Sequence, residues 1–388
     1  MTPIEAVGPG SLPGEASPEE AQSPAGVQAA PAAVTIIRSL EGLEGLADPW
    51  DALAARSGLP TQDHAWTSAA AASFAAEGRL HIVAAGVPPN VTAIAPLAWS
   101  RSEDGYLELI GVHELGEPMD FLYADPRALV PLTAALARLR RRLTLTRLPA
   151  ASPAVAALRR SYRGRGVVLD SPSDGWPWIP LDARWKEPEA QLSAGRRSDL
   201  RRAKRIAEKT GPVAAEVVSP APNALDPLLD EALRVEAAGW KGREGTALTE
   251  DPAREAFFRR YAAAACRKGT LRVGFLRIGG QTAAMQIAVM SGDRFSLLKI
   301  GYNQAFARCS PGSLLMCETI RYAAAHGVRS YEFLGGDEPW TQMWTEHVRP
   351  CVSLRAYPVS IRGMAALTGD VGRIACRRLG RFLRRTPG

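Results

Sequence analysis

The chain predicts a mixed fold, α/β or α+β. Three observations carry that prediction. Helix-like and strand-like stretches alternate along 388 residues. The order seen in the first half recurs in the second. One segment, Arg308-Cys309-Ser310-Pro311-Gly312-Ser313-Leu314-Leu315, reads as a link between a buried strand and a helix.

Residues 1–33 are rich in Pro, Ala, Gly, Ser and Glu and offer almost no large apolar side chains, so they are expected to form a disordered tail. Order is expected from Val34. Helices follow near Pro49–Ser57 and Trp66–Glu77, then strand-like runs at Leu80–Ala85, Val91–Trp99, Leu107–Ile110 and Phe121–Tyr123. Asp125-Pro126 opens a helix to about Arg142, and Leu143–Leu148 returns as a strand. In the second half Thr270–Ile278, Gln281–Met290 and Arg294–Tyr302 read as strands joined by Gly279-Gly280 and Ser291-Gly292-Asp293 turns. A helix over Leu314–His326 stops at Gly327. Tyr331–Leu334 is a short strand, and Val352–Pro358 is expected to close this second unit. The halves are joined by an arginine-rich helix, Arg196 to about Lys209. It reads either as a solvated face packing Leu200 and Ile206 inward or as a handle for a phosphate-rich substrate. A second basic helix follows Ile361. It reads either as docked on its own protein or as lying on an anionic membrane surface.

Bulk numbers exclude some classes. A net charge of +7 favours anionic partners without choosing among them. Five cysteines, all in the second half and without a Cys-x-x-Cys pair, argue against a disulfide framework and a structural zinc site. No signal peptide or membrane-length apolar run is evident, and a cytoplasmic location is expected. No His, Asp and Glu spacing suggests a metal.

The Arg308–Leu315 link carries the chemistry. Ser310 is expected to cap the helix, Pro311 fits its first position, and Gly312 leaves room for a ligand. Unpaired amides and the helix dipole would then hold an anion, which points to a phosphate-bearing donor such as coenzyme A. Arg308, Ser310, Pro311, Gly312, Ser313 and Lys299 form the expected donor-binding set. In the first half the corresponding helix begins at Asp125, whose own carboxylate would occupy the anion's place. For the base, Asp337 and Glu338 follow a strand and the Gly335-Gly336 pair. Glu236 is a second candidate, with a surface carboxylate as the alternative reading. Tyr302 could protonate a leaving thiolate or could simply pack. Trp240, Lys241 and Trp340 are the expected acceptor contacts. Cys309 could be a nucleophile beside the helix start, but no supporting histidine is evident.

Several of these segments, taken in order, resemble a known family. They are Arg197–Arg205, Glu236-Ala237-Ala238-Gly239-Trp240-Lys241-Gly242, Lys299-Ile300-Gly301-Tyr302-Asn303, Ser310-Pro311-Gly312 and Tyr331-Glu332-Phe333-Leu334-Gly335-Gly336-Asp337-Glu338-Pro339-Trp340. They are similar to the tandem GNAT-type acyltransferases called BioF2-like or CelD-like, relatives of the Fem-type aminoacyltransferases. The resemblance implies two GNAT-like domains, an N-terminal one over 34–180 with a degenerate donor site and a catalytic one over 181–362, followed by a basic C-terminal helix over 363–388. It implies transfer of an acetyl or longer acyl group from acyl-CoA, without a metal, to an amine on a small molecule or sugar in polysaccharide or secondary-metabolite biosynthesis. Two alternatives stay open: an aminoacyl-tRNA donor, as in the Fem branch, and a binding module without chemistry. The family's usual Gln/Arg-x-x-Gly-x-Gly/Ala loop is absent as such, and Trp340-Thr341 stands where relatives carry an aromatic-Lys pair.

Overall fold

The computed structural model describes residues 33–75, 78–102, 105–239 and 248–383. The first half opens with β1 (Val34–Ile37) and three helices, α1 (Leu40–Glu44), α2 (Ala47–Ala54) and α3 (His64–Phe74). Then come β2 (Ile82–Val87), β3 (Asn90–Ala95), β4 (Leu97–Trp99), β5 (Leu107–Leu109), α4 (Val112–Leu115) and β6 (Leu122–Tyr123). The half ends with α5 (Leu129–Arg138), β7 (Leu143–Pro149), α6 (Pro153–Ser161) and β8 (Gly166–Pro180).

The basic helix is α7 (Ala194–Thr210), and its start is capped by Ser193. Leu200 is buried as expected, but Ala203 and Ala207 complete the inward face and Ile206 is only half-buried. The second half continues with β9 (Val213–Val218), α8 (Leu225–Ala237), α9 (Pro252–Arg267), β10 (Leu271–Ile278), β11 (Gln281–Ser291) and β12 (Arg294–Tyr302). It finishes with α10 (Pro311–Ala325), β13 (Ser330–Glu332), β14 (Val348–Pro358) and α11 (Ile361–Leu383). Gly279 and Gly280 both have positive φ, which a two-residue hairpin turn of this kind requires.

β1, β2, β3 and β6 form a four-stranded sheet. The other ten strands form a second sheet in the order β4-β5-β7-β14-β8-β13-β12-β11-β10-β9. The expectation that Val352–Pro358 closes the second unit is corrected here. β14 lies between β7 and β8, antiparallel to both, while the end of β8 pairs with β13. Each half therefore gives its last strand to the other. The core is shared as well: Trp66 of α3 packs edge-on against Phe257 and Tyr261 of α9, with ring centroids 4.8 and 4.9 Å apart. Such aromatic pairs add about 1 kcal/mol each beyond their buried area.

α11 is tied down near its middle through Asp370, which accepts hydrogen bonds from Tyr357 and Arg142. Among the described residues no helix is long and apolar enough to cross a membrane.

Candidate functional site

The site begins with a parting of strands. β12 pairs with β11 along its whole length, but with β13 only over Arg294–Ser296. From Leu297 onward its other edge faces a cavity of about 570 Å³. Leu297 to Tyr302 line one wall, and Phe333 and Gly335, beyond β13, stand on the other side. Backbone groups on such an open edge have no ladder partner and are available to a ligand.

The first turn of α10 enters the same cavity through Ser310, Pro311, Gly312 and Ser313. Its geometry corrects the expected cap. Ser310 is left-handed, with φ 45° and ψ 52°, and its side chain caps nothing. Its carbonyl instead accepts from the Ser313 and Leu314 amides at 3.0 and 3.2 Å. Pro311 has no N–H. The turn thus presents one amide without an acceptor among the described residues, that of Gly312. A Cβ added at Gly312 would lie 3.9 Å from Ile300 and from Tyr302, so the glycine borders the strand wall without being crowded.

Glu236, at the end of α8, is not a surface carboxylate. It is 1% exposed. Its Oε2 accepts from the Leu248 amide at 2.9 Å, while its Oε1 accepts no hydrogen bond and faces the Lys299 ammonium at 3.7 Å. Gly301 permits this approach: a Cβ there would sit 2.9 Å from the Glu236 Cα. Among the described residues on the cavity wall, Lys299 is the sole cationic side chain.

Sequence reasoning missed one carboxylate. Glu117 follows α4 in the first half yet lines this cavity in the second. Part of the residue is exposed, but its Oε2 is sealed from solvent and accepts no hydrogen bond. Burial pushes its carboxyl up to about 7, against the opposing pull of Arg147 and Lys299. The signal available in sequence was slight, an acid between Gly116 and Pro118 in a turn. Arg147 holds this turn in place. Its guanidinium donates to the Gly116 carbonyl and, at 2.9, 3.0 and 3.3 Å, to those of Leu334, Gly335 and Gly175. Arg147 and Leu334 both have positive φ, conformations that non-glycine residues adopt at some cost.

A further part of the wall is Glu338, Trp340, Met343 and Trp344. Glu338 accepts from the Trp340 indole at 2.7 Å, and Arg196 of α7 donates to the Gln342 and Met343 carbonyls. Of the residues singled out from sequence, Glu236, Lys299, Tyr302, Ser310, Pro311, Gly312, Ser313, Glu338 and Trp340 meet in this cavity. Asp337 and Arg308 are exposed and lie off its wall, and Cys309 is buried behind it. Trp240 and Lys241 fall outside the described residues. Among the described residues no group of His, Cys, Asp and Glu is placed to hold a metal ion.

Residues 194–342, which span the parted strands and the α10 turn, match the model of the acetyltransferase (GNAT) domain. This stretch of the chain is a GNAT acetyltransferase domain. The protein is thereby an acyltransferase of mixed α/β fold. Solved structures share the fold over most of the chain at low identity. The C-terminal domain of a protein named as a lysylphosphatidylglycerol synthetase from Agrobacterium fabrum is 13% identical, with a TM-score of 0.52, covering 86% of this chain and 97% of that one. FemX is 12% identical, with a TM-score of 0.51, covering 84% and 97%. L-PGS from Bacillus licheniformis is 11% identical, with a TM-score of 0.50, covering 82% and 91%. The comparison with curated protein sequences finds no match.

Proposed function

We propose that this GNAT domain moves an acyl group from acyl-CoA to an amine, with both substrates meeting in the cavity between β12 and Phe333. The observation that supports this most is the coincidence of an open strand edge, a helix start with a free Gly312 amide, and two buried carboxylates in one cavity. The fit to a CoA thioester is specific to the residues present. The edge of β12 offers backbone groups to an extended amide-bearing arm, and the Gly312 amide with the Ser313 hydroxyl offers donors to a phosphate.

The reaction needs the amine deprotonated, the oxyanion stabilised and the thiolate released. Glu117 takes the first proton from the acceptor ammonium. A carboxylate held near pH 7 by burial suits that role, because it is partly ionised yet basic enough to accept. The amine nitrogen then bonds to the thioester carbonyl carbon, and backbone donors on the open edge of β12 face the oxyanion. Collapse breaks the carbon–sulfur bond. The nitrogen's remaining extra proton passes to the thiolate, with Tyr302 beside the path. Lys299 and the buried Glu236 form a pair that orients the acceptor, and Trp340 walls its entrance. Asp337, the first choice from sequence, keeps at most an orienting role from outside the wall.

A donor panel tests the reading. Acetyl-CoA and longer acyl-CoAs should raise the melting temperature, and mass spectrometry should show an amide product with a suitable amine. Stabilisation by aminoacyl-tRNA and by no CoA ester would replace this reading with the Fem-type one, for which the exposed Arg201, Arg202 and Arg205 of α7 supply a surface.

A further inference from the structure

A second cavity, of about 490 Å³, lies away from the acyl-transfer site. Arg294 lines it from the start of β12, whereas Lys299 lines the first cavity five residues further along. That is about 16 Å of extended strand. The cavity is built mainly from first-half residues, and its wall has two chemical characters. One is aromatic and apolar: Phe121, Leu122, Tyr123, Trp176 and Trp178. The other is cationic: Arg56, Arg294 and Arg349.

The three guanidiniums are not equivalent. Arg349 is committed. It forks onto the fully buried Glu332 at 2.8 and 3.1 Å and lies 3.8 Å above the Trp178 ring. Arg56 donates to the Ala124 carbonyl at 2.6 Å. Arg294 donates no hydrogen bond to any described residue. Its nearest carboxylates, Asp293 and Glu332, are each 3.9 Å away, and Glu332 already serves Arg349 and the Trp176 indole. Gly58, at φ +69°, makes the room in which this side chain lies: a Cβ there would come within 2.7 Å of its Nε. Asp120, the single acid among the described residues on the wall, is engaged by the Phe121 amide and Ser152 at 2.7 and 2.9 Å. A planar fork of donors that makes no hydrogen bond to any described residue, on a wall with surplus positive charge and beside the half-buried Trp178 indole, matches a planar oxyanion on a flat apolar body.

We propose that this second cavity binds an aromatic or other flat cyclic carboxylate, with Arg294 gripping the carboxylate and Trp178 flanking the ring. The ligand is distinct from the acyl donor, and the inference stands whether or not the donor is acyl-CoA.

Isothermal titration with 2-naphthoate tests it. Saturable binding in the range up to about 10 mM is expected. The uncharged analogue 2-naphthylmethanol should bind wild type at least about tenfold more weakly, a difference that one charge-assisted fork supports. Arg294→Gln should weaken naphthoate by a similar factor while its cooperative thermal unfolding is retained, which reports that the variant is folded. The same naphthoate affinity in Arg294→Gln, equal binding of the uncharged analogue, or no saturable binding to wild type would each overturn the proposal. A variant that did not unfold cooperatively would hand the decision to the two wild-type titrations.

Discussion

Two helix starts in this molecule face the same local problem and solve it differently. Before α5, Asp125 turns its own carboxylate onto the Arg127 and Ala128 amides at 2.7 and 3.2 Å. Before α10, Ser310 is left-handed, its hydroxyl caps nothing, and the Gly312 amide is left facing a cavity. An anion-binding helix start is closed by a built-in carboxylate and kept open by its absence. The first half, closed at this point, contributes instead a carboxylate, Glu117, and an arginine, Arg147, to the open site of the second.

The largest test of that division of labour removes the contributed carboxylate. Glu117→Gln should lower kcat by about 100-fold or more, the usual range for losing a positioned base. The rise of kcat/KM with pH near 7 in wild type should flatten in this variant. Retention of that limb in the variant would move the base to Glu236. Arg147→Met should follow, since four carbonyls lose a charged donor and two loops lose their tie. A stability loss of about 3 kcal/mol by urea titration is expected, with kcat/KM falling more than the affinity for CoA. Asp125→Ala should cost about 1 kcal/mol, the usual value of a cap, and leave transfer activity unchanged. A large activity loss there would mean that the first helix start has a use of its own.

A further expectation concerns pH and stability rather than transfer. Burial raises Asp63, Glu117 and Asp120 each to about 7, well above ordinary carboxyls. The folded chain therefore holds protons at these groups that the unfolded chain has already released. Their contribution to stability is full below about pH 4 and is lost as pH rises toward 7. The melting temperature should fall over that range, and by less in Asp120→Asn.

Much of the second half was legible because its signals are local. The β10–β11–β12 strands are apolar runs broken by Gly279-Gly280 and Gly292, and α10 ends at Gly327, where φ is +73°. β8 was not legible. Its Pro172, Ser173, Asp174, Gly175 and Pro177 are poor strand formers, and it is extended because β14 and β13 pair with it. The strand exchange is likewise invisible locally, since Val352–Pro358 would look the same in either sheet. Glu117 was missed for a related reason. Its burial comes from contacts between halves far apart in sequence, and the acids at 337 and 338 gave a stronger local pattern. Asp125 was read correctly because an Asp-Pro at a helix start is decided within four residues.

The central claim is that the α10 start is the donor site, and titration of acetyl-CoA into wild type and Gly312→Asp tests it most directly. The added carboxylate would project beside Ile300 and Tyr302 and take the place of an anion. Affinity should fall by at least about 100-fold in a variant that still melts cooperatively, while Gly312→Ala, whose methyl makes only ordinary contacts, stays within about threefold. Equal affinity for acetyl-CoA in wild type and Gly312→Asp would contradict the account.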